Sequence, residues 1–149
     1  MQRRATRNIP GMKGKSYKER LVSLQLPTLQ YRRYRGDMIE VYKIIHGIYD
    51  DSVTKGFFNN KAGKIVYKLR YHELAVTKER CDTDLKRFSF KNRVADQWNH
   101  LPAEIAASTT LNTFKNNLDA LWSDDVMYDP DCDIYAITSS AQNRFMTSA

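Results

Sequence analysis

Apolar side chains recur at steps of three and four along three stretches of the chain, and these steps predict its main helices. Over residues 29–46 the spaced positions are Tyr31, Tyr34, Met38, Val41, Tyr42 and Ile45, which fall on one face of a 3.6-residue turn. Pro27 punctuates before this stretch, Thr28 offers an N-cap oxygen, and Gly47 stands where a left-handed C-terminal cap is expected. Ser89 can cap a second helix from Phe90 to about His100, with Val94 and Trp98 on one face and Leu101-Pro102 closing it. Leu111, Phe114, Leu118, Leu121 and Trp122 mark a third, capped by Thr109 or Thr110. Trp98 and Trp122 are expected to share one core. A shorter helix over residues 17–24 is announced by Ser16 and Glu19 at capping-box spacing, with Leu21 and Leu24 facing inward.

Where the helical period lapses, other elements are expected. Residues 64–69 alternate charged positions with Ile65, Tyr67 and Leu69, a strand pattern, and residues 74–77 and 87–90 could pair with them. The fold class expected is α+β, predominantly helical with about four helices and a small antiparallel sheet. Gly36, inside the longest helix, predicts a close contact at that point. Residues 1–15 read as a basic arm, 16–122 as a single helical α+β domain and 123–149 as a disordered acidic tail.

The length of 149 residues suits one domain, and a hydrophobic share of 42% with 11% aromatic residues argues against wholesale disorder. The net charge of +7 is loaded at the front, because residues 1–37 hold ten Lys/Arg against two acids. Clustered cations of this kind attract a polyanion. Cys81 and Cys132 are too sparse for a disulfide scaffold or a zinc site, which fits an intracellular setting, cytoplasmic or nuclear. No apolar run approaches the roughly 18 residues of a membrane span, so no membrane partner is expected.

Several acidic groupings imitate catalytic motifs without completing them. Tyr49-Asp50-Asp51 resembles a polymerase aspartate pair, but follows a helix-ending glycine instead of lying between two apolar strands. Asp129, Asp131 and Asp133 copy the start of a calcium loop, yet Ile134 occupies the glycine position and Ser140 that of the bidentate glutamate. His46, His72 and His100 lie far apart. No catalytic residue, metal site or cofactor is expected. The stronger chemistry is cationic: Arg3, Arg4, Arg7, Lys13, Lys15 and Arg20, then Arg32, Arg33 and Arg35 interleaved with Tyr31 and Tyr34. Guanidinium groups match phosphate oxygens two at a time, and aromatic rings can stack on unpaired bases. The two tyrosines also fit the core stripe, and Arg33 could instead pair with Asp37 at i, i+4.

A family resemblance follows from the motifs Gln2-Arg3-Arg4-Ala5-Thr6-Arg7, Pro10-Gly11, Tyr17-Lys18-Glu19-Arg20-Leu21 and Leu26-Pro27-Thr28-Leu29-Gln30-Tyr31-Arg32-Arg33-Tyr34-Arg35-Gly36-Asp37-Met38-Ile39-Glu40-Val41-Tyr42-Lys43-Ile44. Further on come Arg93-Val94, Trp98-Asn99-His100-Leu101-Pro102, Leu111-Asn112-Thr113-Phe114-Lys115-Asn116, Leu118-Asp119 and Trp122. In this order, over residues 1–122, the chain resembles the region after the palm in non-LTR, LINE-like retrotransposon reverse transcriptases. The resemblance implies a thumb-like or accessory part near template and primer, with the polymerase and its catalytic aspartates upstream. It implies a non-enzymatic fragment that binds RNA or an RNA/DNA hybrid, with a reverse transcriptase palm domain as a further partner. Two other readings are a scaffold that packs on a polymerase or protein partner, and a remnant reading frame without selected function. The tail after Trp122 departs from the family pattern.

Overall fold

The computed structural model describes residues 1–58, 72–122, 124–134 and Thr138. Among them the helices are α1 (Gln2–Arg7), α2 (Tyr17–Ser23), α3 (Leu29–Ile45), α4 (Asp51–Thr54), α5 (Asp84–Arg87), α6 (Phe90–Asn99), α7 (Ala103–Ala106), α8 (Leu111–Leu121) and α9 (Asp124–Tyr128). The three long helices lie where the apolar spacing put them. The caps of α2, α3 and α8 form as local chemistry dictates. Ser16 accepts from the Glu19 N–H while the Glu19 carboxylate accepts from the Ser16 N–H at 2.7 Å, and Thr28 and Thr110 accept from the Tyr31 and Thr113 amides. At the other end of α3, Gly47 takes a positive φ of 62°. The end of α2 closes in a Schellman geometry, with the Leu26 N–H reaching the Leu21 carbonyl and the Gln25 N–H that of Val22. Its left-handed residue is Gln25, at φ 50°, where glycine is usual.

The core forms where α3 packs on both α6 and α8. Phe114 of α8 stacks on Tyr42 of α3, centroids 4.4 Å apart, and meets Trp98 of α6 at 6.0 Å. Tyr31 meets Trp122 edge to face at 5.9 Å, so both tryptophans belong to one apolar cluster. Burying side chains of this size stabilises by roughly 1.5–3 kcal/mol each.

The expected antiparallel sheet is corrected: among the described residues no strand is present and the architecture is helical. Residues 87–90 span the junction of α5 and α6 instead of an extended run. Residues 74–77 are non-helical, with Val76 in a single bridge position, and α6 meets part of their backbone. Asn99 accepts from the Val76 N–H at 2.8 Å and donates to its carbonyl at 2.9 Å, and the Trp98 indole donates to the Leu74 carbonyl at 2.9 Å. The Asn99 amide and the Trp98 indole thus meet backbone groups that a ladder would otherwise pair, and a short alternating pattern does not distinguish an isolated bridge from a strand. The third expected strand, at 64–69, lies outside the described residues.

Both ends of the chain carry helices. Residues 2–7, expected within a basic arm, form α1, which packs on α2 and buries Thr6. Within the expected disordered tail, α9 forms, Val126 and Ile134 join the core, and Thr138 accepts from the Trp122 indole at 3.1 Å. The close contact expected at Gly36 is absent among the described residues, since a Cβ built there would meet no atom of theirs within 4 Å outside the backbone of its own helix. Glycine at this exposed helical position forgoes about 1 kcal/mol relative to alanine.

Candidate nucleic-acid interface

The nine cations singled out from the sequence divide into those the fold uses and those it leaves exposed. Arg20 is only 7% exposed and works as an internal clamp. Its guanidinium donates to the Lys15 carbonyl at 2.5 Å, the Thr6 hydroxyl at 3.3 Å and the Arg3 carbonyl at 3.4 Å. Arg20 and Arg3 also flank the Tyr17 ring, their guanidinium carbons 5.7 and 5.3 Å from its centroid. The Tyr17 hydroxyl donates to Gln2, and the Gln2 amide donates to the Pro27 carbonyl at 2.9 Å. That last bond brings the start of α1 beside the start of α3.

Arg35 is committed too. It grips Asp119 of α8 with two parallel bonds of 2.6 and 2.7 Å, and the Tyr31 hydroxyl donates to the same carboxylate at 3.1 Å. The Arg35 bond holds Asp119 below the usual carboxylate range, and Arg35 is raised in turn by its bond to Asp119. Burial, with the Asp119 charge beside it, pushes the Tyr31 phenol up to about 12. Arg35 therefore ties α3 to α8, its guanidinium occupied by Asp119. Tyr31 is 2% exposed and Tyr34 packs against the core, so neither ring is set out as a stacking platform.

The expected Arg33 to Asp37 pair does not form, because Arg93 of α6 takes Asp37 with bonds of 3.1 and 2.9 Å. A two-pronged grip from a facing helix outcompetes a single contact along one helix. Arg93 and Asp119, which entered the sequence reading only within family motifs, hold α6 and α8 to α3, and no local spacing marks these pairings.

Arg3, Arg4, Arg7, Lys13, Lys15, Arg32 and Arg33 remain exposed. Lys15 reaches the Ser23 hydroxyl at 3.2 Å, whereas Arg4, Arg7, Lys13, Arg32 and Arg33 meet no acid among the described residues. Lys18 is bound to Asp129 at 3.0 Å.

The acidic imitations have local roles. Asp50 caps α4 by accepting from the Ser52 N–H at 2.8 Å, and Asp129 accepts from the Asp131 N–H at 3.0 Å. Each histidine faces a backbone carbonyl: His46 that of Ala106, His72 that of Trp98 and His100 that of Asp96. Among the described residues no helix is long and apolar enough to cross a membrane.

Among the described residues these features define a helical domain whose exposed cations without an acid partner lie on α1, in the loop to α2 and in the first turns of α3. No family model, curated protein or solved structure matches the chain.

Proposed function

We propose that this chain is a non-catalytic, post-palm part of a retrotransposon reverse transcriptase, which holds RNA or an RNA/DNA hybrid by phosphate contacts at its cationic corner. The observation that carries the reading is the division of the cations. Arg20 and Arg35 are bound internally, while Arg4, Arg7, Lys13, Arg32 and Arg33 are exposed without an acid partner among the described residues. The resemblance of residues 1–122 to retrotransposon polymerases adds the choice of nucleic acid.

Fluorescence anisotropy over a salt series tests it. If five phosphates are neutralised, the association constant should fall on the order of 500-fold between 50 and 200 mM salt. Binding that ignores salt, or no binding at low salt, would sink the reading.

A second reading, a scaffold on a polymerase body, is favoured by Leu85 and Phe88, which project from the α5 region at 89% and 67% exposure. A separately expressed palm domain that binds the wild-type chain, but not a Leu85→Ser/Phe88→Ser variant, would support it. Equal binding of both would refute it.

A further inference from the structure

We infer that the outer strip of α3 formed by Arg32, Arg33 and Gly36 is a seat for a phosphodiester backbone, in which Gly36 lets the phosphates approach the helix closely. This inference rests on the nucleic-acid reading above and assigns it a specific place.

The charges of α3 resolve one by one. Arg35 is taken by Asp119, Asp37 by Arg93, and Glu40 by Lys43 at 2.8 Å together with the Tyr49 hydroxyl at 2.5 Å. Among the described residues Arg32 and Arg33 are the cations of this helix left uncompensated. They precede Gly36 by four and three positions, so on a helix both are its immediate surface neighbours.

Among the described residues nothing packs against Gly36 to explain it. Its φ is not in the left-handed range, its Cβ direction is open space, and it is exposed in the middle of a 17-residue helix. Glycine in such a position is useful when another backbone must come close. The flanking charge selects an anionic visitor, and the two acids nearest Gly36 are both covered by cations. Tyr31 and Tyr34 turn toward the core, so the strip presents guanidinium groups and bare backbone without a ring on which a base could stack. The chemistry that fits is a phosphate backbone read without regard to sequence.

The test compares the full chain with Gly36→Ala, Gly36→Leu and Arg32→Gln/Arg33→Gln, using a short fluorescein-labelled RNA/DNA hybrid over a salt series and a thermal melt of each protein. Gly36→Ala should melt higher than wild type and yet bind more weakly, by about threefold. Gly36→Leu should weaken binding about tenfold and lower the salt slope by about one, in the same direction as the arginine double variant. Should both Gly36 variants bind as wild type while wild-type binding is salt-dependent, the seat is overturned and the nucleic-acid reading stands. Should the wild type not bind the hybrid, that reading falls and the seat falls with it. Unchanged binding by the arginine double variant would also overturn the seat, because Gly36→Leu could then act only through shape.

Discussion

Around α3 the molecule is held by rings: Tyr42 on Phe114, Phe114 against Trp98, and Tyr31 against Trp122. At the corner where α1 meets α2, one guanidinium gathers Thr6 and the carbonyls of Arg3 and Lys15 around itself. Leu21 is fully buried there but stands outside the main apolar cluster. The difference matters because apolar packing is cooperative over many neighbours, whereas a polar hub fails when one donor set is lost. The α1 side of the proposed binding corner is thus mounted on the weaker of the two constructions, and its Arg32 and Arg33 on the stronger.

The largest effect should come from Trp98→Ala, which removes the biggest ring of α6 and should cost about 3–5 kcal/mol in chemical denaturation. All helical signal by circular dichroism should be lost in one earlier transition. Arg20→Ala should cost about 1–3 kcal/mol by leaving buried acceptors unpaired, but hydrogen exchange should quicken in α1 and α2 alone. Faster exchange in α8 as well would break the distinction between the regions.

The same comparison predicts gains. Gln97 is 6% exposed and both polar atoms of its amide lack a hydrogen-bond partner among the described residues, so it is a polar flaw within the apolar region. Gln97→Met should stabilise by about 1–2 kcal/mol, read as a higher denaturation midpoint. Thus removing a polar group should strengthen the ring-built core and weaken the arginine-built corner. Gln25→Gly should relieve the left-handed strain at the end of α2 and add about 1 kcal/mol. An unchanged midpoint would show that this turn carries no strain.

The smallest effect is on pH. Burial depresses His72 below its ordinary value of 6.5, so the unfolded chain gains this proton before the folded one does. Its contribution is complete above about 6.5 and declines as the pH falls below that value. His72 packs edge-on to Trp98 at 5.6 Å, so the loss belongs to the core. A His72→Gln variant should show a flatter stability profile between pH 7 and 5. An identical profile would remove His72 as the cause.

What could be read beforehand follows the same division. The helices α3 and α8 were legible because Tyr31, Met38 and Val41, or Phe114 and Leu118, repeat over several turns behind a capping threonine. Ser89 occupies its expected position before α6, yet its hydroxyl donates back to the Lys86 carbonyl at 2.7 Å instead of capping. The short α1 and α9 were not legible. Too few apolar positions repeat in them, and their anchors are remote: Gln2 on Pro27, and the Thr28 N–H on the Met127 carbonyl at 3.0 Å. Among the cations, composition located the cluster but not its free members. Arg35 is withdrawn by an acid 84 residues away, and Asp37 is withdrawn from Arg33 by an arginine 56 residues away. Such pairings depend on helix packing, which no local spacing encodes.

The two tryptophans give the chain a built-in pair of optical probes. Each indole is buried, and each donates its N–H to a different neighbouring segment, Trp98 to Leu74 and Trp122 to Thr138. A chain with either tryptophan replaced by phenylalanine would therefore emit from a single site, one reporting the segment draped on α6 and the other the segment that follows α9. A red shift in one emission before the other would time the separate release of these two covers.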